Sequence, residues 1–590
     1  MRGTLTGAPP RAPFDAADRL RLVVYGSEAV RPGLTRRRLL RAVAAAAAAA
    51  SAWPGAALGR KQAAPKASLL RVHGAARRFA DDRPMFATIA PGVAGRDTAA
   101  VAFELERRTR VQLDAVRTGI GRSEIRWTTT ASLGPGPQQL VWRPADDTPV
   151  GSYVMRLTVG GDRRRRIYGA RRPSSPERAR APVVRVLGVE AAFTKRSYLP
   201  EEPMALRILA DTSTFALTFL RVGHGPDPNL RSDELTGLPM SDPVSVDWRG
   251  KRSSPWKITI QTGDWPSGLY AAKLETDDGR MGFAPFVLRP TTPGATRVAA
   301  VLPTNTWQAY NLYDADGDGW GDTWYAGGNP PVLLDRPYRD RGVPPRFRRY
   351  DFPFLRWLEK SGRQPDILAD DDLEAFATGD ELRRLYDLVV FPGHTEYVAS
   401  RAYDVVERYR DLGGRLVFLS ANNLFWRVEK RGQEMRRLSK WRADGRPEAR
   451  VCGVQYRAND DGSRQAPFVV SDPDAAPWLF AGTGLGLGST LGEEVGGFGI
   501  EIDMTTSDSP PGTRVLALIP NLFGLGLHAE MSYYETESGA RVFSAGALDF
   551  PAVLLYPAGF RLMDNLWRHM LEDLPDRSGA RDEASRQRSS

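Results

Sequence analysis

Cysteine occurs once in these 590 residues, at Cys452. A single thiol can form neither an intramolecular disulfide nor a CxxC-type zinc site, so neither can staple this fold. Histidine is almost as scarce, and His73, His224, His394, His528 and His569 are the whole supply. No G-x-S-x-G elbow is present for serine catalysis, and Cys452 does not stand at a strand-end turn, which argues against thiolate catalysis. Also missing is any run of about 20 apolar residues, so no transmembrane span is expected. The formal charge of +11 is largely an N-terminal effect: residues 1–58 hold nine arginines against three acids, and about +5 remains without them. That residue is too weak to indicate a nucleic-acid partner. The run Arg163–Arg166 sits between strand-like stretches and reads as a solvated hairpin tip.

What is present begins with an address. Thr35-Arg36-Arg37-Arg38-Leu39-Leu40-Arg41, then alanines from Ala42 to Ala50 and small residues at Ala50-Ser51-Ala52 and Ala57, resemble a twin-arginine signal. Residues 1–57 are therefore expected to be a leader, and the chain to be exported after folding to the periplasm, the cell surface or the medium. A fold without disulfides suits that route. Residues 576–590 are expected to be a disordered tail.

From Ser68 to Pro290 the pattern alternates with period two, as in Val111-Gln112-Leu113-Asp114-Ala115-Val116, and Gly and Pro punctuate it. An internal echo divides the region. Gly151-Ser152-Tyr153-Val154-Met155-Arg156-Leu157 and Gly268-Leu269-Tyr270-Ala271-Ala272-Lys273-Leu274 share G-x-Y-x-x-[R/K]-L, each after a Pro-containing turn. Two tandem immunoglobulin-like β-sandwiches are expected, over 68–182 and 183–292, each tyrosine starting a strand with its ring partly buried.

After Pro290 strands alternate with helices, and an α/β domain is expected over 297–575. Val298–Leu302 reads as a buried strand. Leu388–Phe391 reads as another, followed by a helix from Arg401 to Leu412 with Ser400 as N-cap, Gly413-Gly414 as its stop, and a strand to Ser420. This is one parallel crossover unit. Ligands of such sheets bind beyond the carboxyl ends of the strands, where His394, Glu396, Tyr397, Asn422 and Asn423 fall. His394 and Glu396 are the candidate catalytic pair.

Gly393-His394-Thr395-Glu396-Tyr397 and Gly413 to Arg427, ending Asn422-Asn423-Leu424-Phe425-Trp426-Arg427, together resemble the C-terminal domain of the N,N-dimethylformamidase large (beta) subunit family. Thr306-Trp307-Gln308-Ala309-Tyr310-Asn311, Gly499-Ile500-Glu501-Ile502-Asp503 and Arg541 to Gly546 follow the same family order, and the likeness spans roughly residues 190–570. The resemblance implies a class I glutamine amidotransferase-like, flavodoxin-like α/β fold. It also implies a metal-dependent hydrolase of small amide C–N bonds, with iron held by two tyrosinates and a glutamate. Tyr397 and Glu501 match one tyrosine and the glutamate. The family's Asn-x-x-Tyr-Trp phrase carries Phe425 here, which cannot ligate iron, leaving the second phenol to Tyr310 or another tyrosine. The alternative is a secreted or cell-surface binding protein with a degenerate amidase-like domain.

A second metal motif stands apart. Asp314, Asp316, Asp318 and Asp322 occupy positions 1, 3, 5 and 9 of a loop with Gly319 at position 6, the spacing of an oxygen cage for calcium. Tyr325 stands at position 12, where a bidentate glutamate would complete the cage. Asp370-Asp371-Asp372 reads instead as a helix N-terminus.

Overall fold

The computed structural model describes residues 64–574 apart from 75–77, 120–122, 162–163, 170–180, 226–233 and 326–328. The twin-arginine motif and leader, and the tail from 576, lie outside the described residues. Among the described residues strand predominates over helix, in several β-rich units. No helix among them is long and apolar enough to cross a membrane.

In the first unit Ala67–Gly74, Ala99–Leu105 and Gly136–Trp142 form one sheet. Phe86–Ile89, Val183–Val186, Gly151–Gly161, Thr109–Thr118 and Ser123–Leu133 form another. Alternate residues from both, among them Val101, Phe103, Leu113, Trp142, Met155 and Val184, share one core, as the period of two requires. Val183–Val186 pairs with Phe86–Ile89 and with Gly151–Val154. The first unit therefore continues past the boundary expected at 182.

The second unit repeats the plan. Val189–Phe193, Met204–Ala210 and Trp256–Ile260 form one sheet, and a second contains Met281–Leu288, Gly268–Thr276 and Thr214–Val222. Their inner faces meet around Leu206, Ile208, Phe219, Trp248 and Phe286. The sequence echo has a common structural role. Tyr153 Oη donates to the Pro149 carbonyl and Tyr270 Oη to the Pro266 carbonyl, both at 2.7 Å and both four residues back. Both rings are fully buried rather than partly so, because the turn carbonyl satisfies the one polar atom each carries.

The third unit is built on a nine-stranded sheet. Its order runs Asp366–Ala369, Val298–Leu302, Leu388–Phe391, Arg415–Phe418, Arg541–Ser544, Ala529–Glu535, Arg514–Ile519, Phe468–Val470 and Thr490–Leu491. The first five are parallel and the rest antiparallel. Val298–Leu302 is followed in the chain by a connection to one neighbour, Asp366–Ala369, and then by Leu388–Phe391 on its other side. The order thus reverses at Val298–Leu302, a topological switch point, and a crevice opens there beyond the carboxyl ends. The crossover helix runs Ser400–Asp411 with Ala399 as N-cap and no side-chain cap bond, so Ser400 is its first residue and not its cap. Leu388–Phe391 and Arg415–Phe418 are parallel, as the crossover pattern requires.

Asp370, Asp371 and Asp372 do open a helix, Asp370–Ala375, and each has a further task. Asp370 accepts from the Asn305 backbone N at 2.7 Å and from Thr304 Oγ1 at 3.1 Å, pinning the helix Thr304–Ala309 at the switch point. Asp371 pairs with Lys430 and Arg196, and Asp372 accepts from Ser197 Oγ at 2.6 Å. These contacts tie the second unit to the third.

Candidate active site

Two segments leave the sheet at the switch point and face each other. The helix Thr304–Ala309 and its cap Tyr310 follow the strand Val298–Leu302, and residues 392–397 follow Leu388–Phe391. A third segment, 420–426, follows Arg415–Phe418. It is stitched to the second by Leu424 N to Thr395 O at 2.8 Å and Trp426 N to Glu396 O at 2.9 Å. Asn422, Leu424 and Ile500 all take left-handed φ angles of 54°, 56° and 64°. Non-glycine residues rarely adopt that conformation.

The side chains converge on Glu396. Its Oε2 lies 2.9 Å from His394 Nε2 and accepts the phenolic proton of Tyr310. Glu501 Oε2 lies 3.7 Å from the same His394 nitrogen and accepts from Asn422 Nδ2 at 2.8 Å. The Tyr397 ring stands edge-on to Tyr310, with centroids 5.5 Å apart. The structure therefore brings all four of His394, Glu396, Tyr397 and Glu501 into one cluster. Asn422 joins them, whereas Asn423 is spent on the backbone, donating from Nδ2 to Ser420 O at 2.9 Å.

Tyr310 is as central as any residue singled out by motif, and Tyr325, Tyr350, Asp351 and Asp503 join it. Tyr325 stacks on Tyr310 at 3.6 Å. Trp307, Tyr310, Tyr325, Tyr350, Asp351 and His394 all line a small cleft of about 260 Å³, its open mouth included. The phrase Thr306 to Asn311 was the signal for Tyr310, and Asp503 stood in the phrase Gly499 to Asp503 without being singled out; nothing local marks Asp351.

Burial dominates the electrostatics. It drives the Tyr310, Tyr325 and Tyr397 phenols well above their usual range, and nearby acids push the same way. Burial alone would depress His394, but Glu501 and the Glu396 hydrogen bond outweigh it and raise the imidazole. Glu501 is itself raised by burial, against the opposing pull of His394. Asp351 and Asp503 are both pushed up to about 8 by burial.

The donor set suits a hard cation. Phenols and carboxylates are oxygen ligands; the Tyr310 phenol bonds to Glu396, Tyr325 and Tyr397 pack on Tyr310, and Tyr350 lines the same cleft. Phe425 does not leave the crevice short of phenols. It is buried against Trp426 and Tyr456, at centroid distances of 5.2 and 5.0 Å.

The acidic loop gathers three of its four aspartates. Asp314, Asp316 and Asp322 each place an oxygen within 4.8 Å of the others. Asp318 stands outside this group, its Oδ1 accepting from Trp320 N at 2.9 Å. Position 12 is not a ligand position at all, because Tyr325 is the ring stacked on Tyr310. Arg83 of the first unit donates to the Asp316 and Gly317 carbonyls at 2.9 and 3.1 Å. The loop thus joins the first unit to the crevice.

The family described as N,N-dimethylformamidase beta subunit-like, C-terminal, matches residues 238–560. The N,N-dimethylformamidase beta subunit of Paracoccus aminophilus is 25% identical over 390 residues, covering 50% of this chain and 50% of that protein. That of an Alcaligenes species is 24% identical over 302 residues, covering 42% and 39%. The chain spans about half the length of these curated relatives or less. Two solved structures share only a TM-score of 0.13, a Yersinia pseudotuberculosis adhesin InvE at 9% identity and a Salmonella alpha-2-macroglobulin at 13%. They cover 39% and 38% of this chain, 62% and 15% of their own, and carry no weight for the fold. With the family matched over more than half its length, this chain belongs to the N,N-dimethylformamidase beta subunit-like, C-terminal family.

Proposed function

We propose that this chain is an exported, metal-assisted hydrolase of small amides. In this reading it carries two immunoglobulin-like β-sandwiches ahead of an amidotransferase-like α/β domain. The observation that carries the reading is the convergence on Glu396, whose one carboxylate oxygen takes both the Tyr310 phenol and His394 Nε2, with Glu501 beside them. A binding protein has no need to bury acids, phenols and an imidazole in mutual contact, since such a cluster costs stability. Export rests on the arginine motif at 36–38.

Tyr310 and Glu396 would hold iron, with the second phenol from Tyr350, which lines the cleft, or Tyr397, whose ring stands edge-on to Tyr310. The ion would supply Lewis acidity to the amide carbonyl. The chain's own groups move the protons. Glu501, raised toward neutrality by burial, accepts a proton from the attacking water at Oε2 and returns it to the departing nitrogen. Asn422 Nδ2 holds that oxygen in place. His394, whose imidazole Glu501 and the Glu396 hydrogen bond raise, donates toward charge developing on the carbonyl oxygen.

The test is metal content and amine release from small formamides, with Glu396→Gln and with Tyr310, Tyr350 and Tyr397 each changed to Phe. Stoichiometric iron that disappears in Glu396→Gln and in Tyr310→Phe, together with turnover, supports the hydrolase. Iron-free, inactive wild-type protein leaves the binding-protein reading.

A further inference from the structure

The cleft beside Glu396 carries an unneutralised cation at its rim. Pro345, Tyr350 and Asp351 line the cleft, and Arg346 follows Pro345 directly. Arg346 is exposed, and among the described residues its side chain makes no hydrogen bond or ion pair. Two other arginines attached to the cleft walls are spent. Arg349 pairs with Asp549 at 2.6 Å, and Arg336 is buried against the carbonyls of Gln308, Asn311 and Tyr313.

The Arg346 charge is felt inside the cleft. Burial raises the Tyr350 and Tyr325 phenols, and the guanidinium opposes that rise at both. Its backbone is left-handed, with φ 59° and ψ 11°, a conformation in which glycine is at ease and a side chain is not.

The complement of an unpaired guanidinium is an anion, and a carboxylate meets its fork through two parallel hydrogen bonds. Glu396 is 3% exposed, whereas Arg346 stands at the surface. A ligand that spans the two places its charge at the rim and its uncharged reacting group within. The walls between are the rings of Trp307, Tyr310, Tyr325 and Tyr350, which suit a short apolar link.

We propose that Arg346 binds a carboxylate of the substrate, so that small amides bearing a carboxylate, such as N-formyl amino acids, are preferred to neutral amides. The amide part of this inference rests on the hydrolase reading. A contact at the rim, away from the reacting bond, is made equally in ground and transition states, so its effect falls on KM. Because the pair is exposed, salt weakens it.

The test separates binding from turnover. N-acetylglycine and its uncharged counterpart N-acetylglycinamide are titrated into the full chain by calorimetry, and turnover is followed on N-formylglycine and N-formylglycinamide. At low salt the anion is expected to bind at least about 5-fold more tightly, with KM lower by a similar factor. The gap should close in about 0.5 M salt. In Arg346→Gly the preference disappears while the unfolding temperature rises, since glycine relieves the left-handed backbone. Arg346→Lys, which keeps the charge without the fork, restores part of the preference. Equal or weaker binding of the anion by the wild type, or no binding of either acetyl compound, overturns the proposal. So does an anion preference that survives Arg346→Gly, as it would if a metal ion held the carboxylate. Anion-selective binding that is lost in Arg346→Gly, without turnover of either formyl compound, upholds the role of Arg346 and removes the hydrolase. Turnover of both with equal KM does the reverse.

Discussion

Asp503 accepts the Asn422 backbone N–H through both carboxylate oxygens, at 2.8 and 3.0 Å, and so holds Asn422 in its left-handed conformation. From there Asn422 Nδ2 reaches Glu501. Asp503 is not among the residues lining the cleft beside Glu396 and acts through Asn422, which makes it a positioning residue. Asp503→Ala is expected to lower kcat by about 10- to 100-fold, the usual effect of removing a group that orients a reacting one, with little change in KM. The double variant with Asn422→Ala should lose little beyond either single change, because both act through Glu501. Additive losses in steady-state kinetics would show that Asp503 does not work through Asn422.

The raised carboxyls give the fold a pH dependence of definite sign. Asp351 and Asp503 stay protonated in the folded chain up to about 8, whereas unfolded aspartate ionises near 4. Between those values the folded state binds more protons than the unfolded state, so stability falls as pH rises. Each group contributes about 1.4 kcal/mol per pH unit within that window. Denaturant unfolding of the metal-free chain from pH 5 to 8 should show this decline, and Asp351→Asn or Asp503→Asn should flatten it by about one proton. An unchanged slope in both variants would mean that the two acids are ionised in the fold.

Legibility followed locality. The period-two pattern and the tyrosine echo marked two β units because strand faces and turn chemistry are written within a dozen residues. The crossover from Leu388 to Phe418 was equally plain, from a buried run, a helical stretch and a paired-glycine stop. His394, Glu396, Tyr397 and Glu501 were found because they sit at strand ends or in recognisable phrases. Asp503 stood in one of those phrases without being singled out and Asp351 in none, since an aspartate becomes informative only when the fold removes its water and its partners. Ser400 was misread as a cap because the chain enters the helix one residue earlier, from Ala399. Tyr325 took its meaning from a calcium template, whereas the fold uses its ring to cover Tyr310.

The echoed tyrosines should be energetically alike. Each hydroxyl satisfies a turn carbonyl from a fully buried ring. Tyr153→Phe and Tyr270→Phe keep the ring and orphan that carbonyl, and each should cost about 1–2 kcal/mol in denaturant unfolding. A large cost in one unit alone would mean that the shared phrase plays different parts in the two.

Calcium is the sharper question for the loop at 314–322. Three carboxylates are packed together, and burial with mutual repulsion raises Asp314 well above its usual range and Asp322 to about 6. The backbone N–H groups of Gly317, Asp318 and Gly319 already bond to Asp314, so the loop has an internal framework before any cation arrives. A divalent ion would offset the repulsion between carboxylates and strengthen the junction that Arg83 makes with the first unit. Millimolar calcium is expected to raise the unfolding temperature at pH 7.5, by up to the equivalent of about 2.7 kcal/mol at 100-fold excess over Kd. The gain should shrink at pH 5, where Asp322 is protonated, and vanish in Asp314→Asn. Identical melting in calcium and in chelator would show that backbone bonds alone hold the loop and that the aspartates serve as turn residues.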